Sequence, residues 1–170
     1  ATAAATSLLL SAPFDVEWKS KDNTKIPLDA AGMLGLQAAM VVRGKQLDIE
    51  AGIPTIWPES KEKFTPQQVS LDLIAGVSFS KGCYPGQEVV ARLHYLGKPS
   101  RRLFIAEAST QKLPNIADKI TAEDGSVAGH VVSAQQTDQT VMLLLSIKLM
   151  ASDEPLLLNN IAIKLHDLDI

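Results

Sequence analysis

Cys83 is the only cysteine in the 170-residue chain, and it stands within Lys81-Gly82-Cys83-Tyr84-Pro85-Gly86-Gln87-Glu88. A cysteine acts as a nucleophile, an exchange partner or a ligand only as the thiolate, which nearby cations and helix N-termini favour. Lys81, two residues before the thiol, is the candidate electrostatic partner. Tyr84-Pro85-Gly86-Gln87 predicts a type II turn, because proline presets the first central position and glycine suits the second. With a helix starting at Gln87, that turn holds Cys83 on a tight, exposed bend. The alternative is a partly buried structural cysteine, since free cysteines are among the most buried residues.

Other chemistries find less support. His94, His130 and His166 are widely separated and have no close histidine or cysteine companion. A self-contained zinc or iron–sulfur site needs three or four clustered ligands, so no stably bound metal is expected. A Cys-His nucleophile would require His94 to fold back onto Cys83, which the spacing does not demand. Thiol exchange or persulfide chemistry needs only an exposed cysteine of lowered pKa. Glu88 has a structural reading, as an acid in the first helical turn that meets the helix dipole. Trp18 and Trp57 read as packing residues.

Hydrophobic content of 46% and charged content of 21% are those of a globular protein. No apolar run approaches the roughly 18 residues of a membrane span, so no membrane partner is expected. Leu8-Leu9-Leu10 lacks a preceding basic region, which argues against a signal peptide. A lone cysteine excludes an internal disulfide framework and suits a reducing, cytoplasmic setting. Net charge is −3 and the pI about 5.6. That balance gives no global footprint for nucleic acid, and no direct nucleic-acid partner is expected. Between residues 81 and 102, however, Lys81, Arg92, Lys98, Arg101 and Arg102 face a single acid, Glu88. Such a basic face either steers an anionic ligand or partner, or is an ordinary solvated loop.

These residues need elements to position them. Leu8–Ser11 is a short strand candidate, and Asp22-Asn23 sits in a polar loop. Pro27 suits the first position of a helix through Met40, with Ala30, Met33, Leu34 and Gln37 on one face. Leu47–Ala51 alternates as a strand. Pro54, Pro58 and Pro66 punctuate a connection expected to run over the surface, and Gln68–Ala75 predicts a short helix leading to the cysteine turn. Beyond residue 100 the character changes. Leu103–Ala106, Val127–Val132, Val141–Ile147 and Ile161–Leu165 read as strands, with turn chemistry at Asp124-Gly125 and Asn159-Asn160. Several short strands at this spacing predict a small barrel or sandwich.

The octapeptide around Cys83 resembles the K-G-C-Y-x-G-Q-E signature of the YgfZ family, folate-binding relatives of the glycine-cleavage T protein. Leu47-Asp48-Ile49-Glu50-Ala51-Gly52-Ile53-Pro54 resembles that family's I-E-A-G-x-P segment, though Gly44 and Lys45 stand where its members often carry an aromatic residue. Phe64-Thr65-Pro66-Gln67 and Gly76-Val77-Ser78-Phe79 follow at the family's distances. The likeness covers about residues 45 to 170, so the chain resembles the C-terminal half of a longer protein. It implies an α+β architecture: part of a ferredoxin-like α/β domain over residues 1–97, then a small antiparallel β-barrel over 98–170. It also implies tetrahydrofolate as cofactor, with Glu50 accepting the pterin N–H groups and Tyr84, Gln87 and Arg92 assisting. The family's other pterin-facing residues fall outside this chain. Cys83, with Lys81, would be the reactive thiol. Iron–sulfur enzymes or their assembly machinery, including tRNA-modifying enzymes, would be the partners. The alternatives are a folate-dependent aminomethyltransferase of T-protein type, or an interaction module using Arg101 and Arg102.

Overall fold

The computed structural model describes residues 30–83, 85–137, 139–166 and 168. The expectations for Leu8–Ser11, Asp22-Asn23, Pro27 and Tyr84 lie outside those residues. By contacts the chain divides into Ala1–Met40 and Val41–Ile170. Of the first unit only helical residues from Ala30 onward are described.

Helix α1 spans Ala30–Glu50, well beyond the Met40 end expected from sequence. It absorbs Leu47–Glu50, which alternation had suggested to be a strand. The alternation carries no second buried side chain: Ile49 is 1% exposed, but Leu47 is 48% and Ile53 45% exposed. Continuing a helix adds one hydrogen bond per residue fixed, so the helix wins. Gly52, at φ 65°, ends it. Its N–H donates to Ile49 O (3.0 Å) and the Ile53 N–H to Asp48 O (2.8 Å). This pair of bonds is a Schellman motif.

Six antiparallel strands close into a barrel: β1 (Arg101–Ala108), β2 (Lys119–Ala122), β3 (Val127–Gln136), β4 (Val141–Lys148), β5 (Leu156–Leu158) and β6 (Ile161–His166), in the order β1-β4-β3-β2-β5-β6. The four strands expected from sequence are β1, β3, β4 and β6. The short β2 and β5 escaped detection, being too brief for alternation to register. Asp124-Gly125 turns β2 into β3, with Gly125 at φ 82°. Asn159 and Asn160, at φ 50° and 66°, form the two-residue turn between β5 and β6. Asparagine tolerates such angles, and left-handed turns match the twist of paired strands. In β6 the expected period of two holds, with Ile161, Ile163 and Leu165 half-buried and their neighbours exposed.

The barrel is filled by side chains, among them Phe104, Ile120, Val131, Leu143, Leu145, Ile147 and Leu156. A second cluster lies on its outer wall, where Leu103, Val132 and Leu144 meet Ile49 of α1, Val69 and the half-buried Phe64, Leu71 and Leu168. Strand alternation lets adjacent residues of β3 serve both cores, Val131 inside and Val132 outside, beside a bulge between Val131 and Ser133. Cover on both faces is why β4 reads as an almost unbroken apolar run.

The proline-punctuated connection after α1 is no loose surface run. Gln67 and Val69 are buried in a 3-10 turn, Pro66–Val69. The helix expected over Gln68–Ala75 stops there, because Ser70 adopts left-handed angles (φ 52°, ψ 21°) and turns follow. Helix resumes only at α2, Gln87–Leu96.

Candidate functional site

The segment from Pro66 to Asp72 is a clamp between α2 and the barrel. Gln67 Nε2 donates to Val90 O (2.7 Å), a buried bond that ties the middle of α2 down. The Leu103 N–H donates to Ser70 Oγ (3.1 Å), and Ser146 Oγ donates to Gln68 O (2.8 Å). Arg102 forms a bidentate pair with Asp72 (2.6 and 3.0 Å) and also reaches Gln67 O (3.2 Å). The Gln67–Val90 and Leu103–Ser70 bonds are buried, where loss of a partner costs about 1–3 kcal/mol, and the others are part-buried. Sequence reasoning missed this clamp. A buried glutamine in Pro-Gln-Gln carries no local signal, since its partners lie 23 residues and more away.

From the clamp the chain reaches the cysteine loop. Cys83 is free and exposed, as are Lys81 and Gly82. The Lys81 N–H donates to Ser78 Oγ (3.3 Å). Gly86, at φ 83° and ψ 0°, has the angles of the second central position of a type II turn and caps α2. Gln87 opens the helix half-buried, and Glu88 lies in its first turn. The buried alternative for Cys83 is thereby excluded. His94 is engaged elsewhere, stacked on Phe79 with 3.7 Å between centroids and edge-on to Tyr95 (4.8 Å).

Arg92 projects from α2 into an open groove of about 410 Å³, lined also by Thr65, Gln68, Val89, Leu96 and Lys98. Thr65 Oγ1, buried there, has no hydrogen-bond partner among the described residues. Glu50 ends α1, exposed. Its Oε1 accepts Gln46 Nε2 (2.8 Å) and lies 3.6 Å from Arg43 Nη1. No hydrogen bond or ion pair joins Glu50 to α2 or the thiol loop among the described residues. Lys45 Nζ sits 5.2 Å over the Trp57 ring, one turn before Glu50. Among the described residues no three His, Cys, Asp or Glu side chains group as a metal set, and no helix is long and apolar enough to cross a membrane.

The basic window of the sequence separates in space. Arg102 is consumed by Asp72, Arg92 and Lys98 line the groove, and Arg101 lies on the barrel opposite Lys148.

No family model matches the chain. Over 113 residues, 65% of its length, it is 39% identical to the tRNA-modifying protein YgfZ of Edwardsiella ictaluri (strain 93-146). The chain is thus a relative of YgfZ. It spans about a third (33%) of the length of that curated YgfZ protein. The described residues supply the closed barrel and two helices of an α+β chain. The likeness read from the Cys83 motif and the helix-ending Glu50-Ala51-Gly52 stands beside this 39% identity over 113 residues to a YgfZ.

Proposed function

We propose that this chain corresponds to the C-terminal half of a cytoplasmic, tetrahydrofolate-binding accessory protein that supports assembly or repair of iron–sulfur enzymes, tRNA-modifying ones among them. Residues 1–97 would complete part of a ferredoxin-like folate domain, and residues 98–170 form its barrel domain. The observation that carries the reading is Cys83, a free, exposed thiol on the Lys81–Glu88 loop of a chain 39% identical to a protein named for tRNA modification. One thiol cannot hold a cluster alone. An exposed one can exchange with, or ligate, sulfur and iron presented by a partner enzyme.

The pterin ring offers two parallel N–H donors, which suit a carboxylate. Glu50, exposed, can turn toward such a ligand at the cost of its Gln46 bond and its Arg43 ion pair. Tyr84 and Gln87 would flank the ring, and Arg92 with Lys98 would meet the anionic glutamate tail of folate. Titration calorimetry with tetrahydrofolate tests this. Glu50→Gln should weaken binding by about 1.5–3 kcal/mol, roughly ten- to a hundred-fold. Unchanged affinity would remove Glu50 as the anchor.

A further inference from the structure

Four cations surround His130 on the outer barrel wall. Leu143, Leu145 and Ile147 point inward, so Ser146 and Lys148 of β4 point out. Arg101 of β1 pairs directly with Lys148, His130 of β3 with Ser146, and Lys119 of β2 with His130. Strands β1, β4, β3 and β2 are successive neighbours, and the Arg101–Lys148 pair lies two residues along from the Lys119–His130–Ser146 row, so these cations form a diagonal row across the wall. Phe64 packs its ring edge-on to His130 (6.4 Å), which brings Lys63 to the same place. Arg101, Lys63, Lys119 and Lys148 all depress the His130 pKa, after burial itself.

No ion pair among the described residues neutralises any of the four. The nearby acids are engaged otherwise: Glu62 lies 4.0 Å from Lys61, and Asp118 accepts the Asn115 N–H (2.9 Å). Arg101 opposite Lys148 is a like-charge cross-strand pair, an arrangement that destabilises a sheet. Arg102, one residue along, shows the ordinary solution, a carboxylate at 2.6 Å. A row of cations kept without counter-charges is suited to an anion from outside.

We infer that this wall binds the phosphate backbone of RNA. Three inter-strand steps of about 4.8 Å span about 14 Å, the axial length of roughly four phosphates at about 3.4 Å per strand. Lysines without an apolar centre match nucleic-acid interfaces, whereas protein interfaces deplete lysine from their core. The row offers no base-reading face, since Phe64, its aromatic neighbour, is packed into the second core, so the contact is to backbone and independent of sequence. The overall charge of −3 conceals this wall, which shares no residue with the proposed folate site.

The test is binding of fluorescently labelled transfer RNA to the whole chain, followed by anisotropy between 50 and 200 mM salt. Four phosphate contacts predict a slope of log K against log salt of about −3. Lys119→Gln and Lys148→Gln should each reduce that slope by about one, while Lys164→Gln, on β6, should leave it unchanged. Melting temperatures equal to or above the parent's will show the variants folded, because removing a like charge does not weaken the sheet. Absent RNA binding at 50 mM salt, or an unaltered slope in the Lys119→Gln/Lys148→Gln double variant, would overturn the inference. So would polyglutamate binding as tightly as RNA, which would assign the wall to an acidic protein. Tetrahydrofolate affinity should be the same in both lysine variants, so failure here and failure of the folate reading are separable.

Discussion

Phe79 and His94 stack face to face, 3.7 Å between ring centroids and 13° between planes. One residue precedes the cysteine loop and the other closes the last turn of α2, so the stack ties together the two ends of the Cys83 segment. It also commits the imidazole to packing. His94→Phe keeps the stack and removes the nitrogen, so the rate of Cys83 alkylation at pH 7 should stay within about twofold of the parent's. Aromatic pairs contribute about 0.5–1.5 kcal/mol, so His94→Ala should loosen the loop and raise its amide exchange. A tenfold slower alkylation in the phenylalanine variant would make His94 the base of a Cys-His pair.

The thiol itself should alkylate faster at pH 7 than a model peptide cysteine, given its exposure and the position of Lys81. A rate no faster than the free amino acid would remove the reactive-thiol reading.

A glycine within α1 and the one that ends it should respond in opposite directions. A Cβ on Gly44 meets nothing within 4 Å. Gly44→Ala should therefore stabilise the chain by about 0.5–1 kcal/mol. Gly52 holds φ 65°, and a Cβ there would lie 2.6 Å from Leu168 Cδ2. Gly52→Ala should cost about 1–2 kcal/mol from the left-handed strain alone. Urea midpoints measure both, and shifts of the same sign would contradict the helix end described.

Asp72→Asn should break the bidentate pair that joins the clamp to β1. Its partners are 11% and 21% exposed at the side chain, for Asp72 and Arg102 respectively. Hydrogen bonds to charged groups contribute about 1.5–3 kcal/mol, and partial exposure places the loss toward the lower end. A change below about 0.5 kcal/mol would mean that the clamp rests on Gln67, Ser70 and Ser146 alone.

His130 gives stability a pH dependence. Burial first, then Arg101, Lys63, Lys119 and Lys148, lower its pKa from the ordinary 6.5. Between the lowered folded value and 6.5 the unfolded chain binds more protons, so stability rises with pH in that window. It is fully present above 6.5 and is lost as pH falls toward the folded value. In His130→Gln this contribution to the pH dependence of the melting temperature should vanish; an unchanged profile would place its origin elsewhere.

Where regular alternation met a half-buried face, as in β6, the sequence was legible residue by residue. The Asn159-Asn160 and Asp124-Gly125 turns were legible because few residues tolerate positive φ. Leu47–Ala51 misled because alternation over five residues looks the same whether a helix continues through it or a strand begins. The exposed setting of Cys83 was readable from Gly86 and the proline before it. The clamp and the cationic wall were not. Gln67 meets Val90 across 23 residues, and Arg101 meets Lys148 across the β1–β4 pairing, contacts between distant segments that no local pattern encodes. The basic window misled for the same reason, since neighbours in sequence such as Arg101 and Arg102 face different partners.

The central claim is tested most directly in cells lacking the gene that encodes this chain. Their iron–sulfur enzymes should lose activity while glycine cleavage continues, and the intact gene should restore them. A gene carrying Cys83→Ala should not, because a thiol has no isosteric replacement for ligation or exchange. Loss of glycine cleavage with iron–sulfur enzymes intact would contradict the account and indicate an aminomethyltransferase, and full rescue by Cys83→Ala would remove the thiol as its working atom.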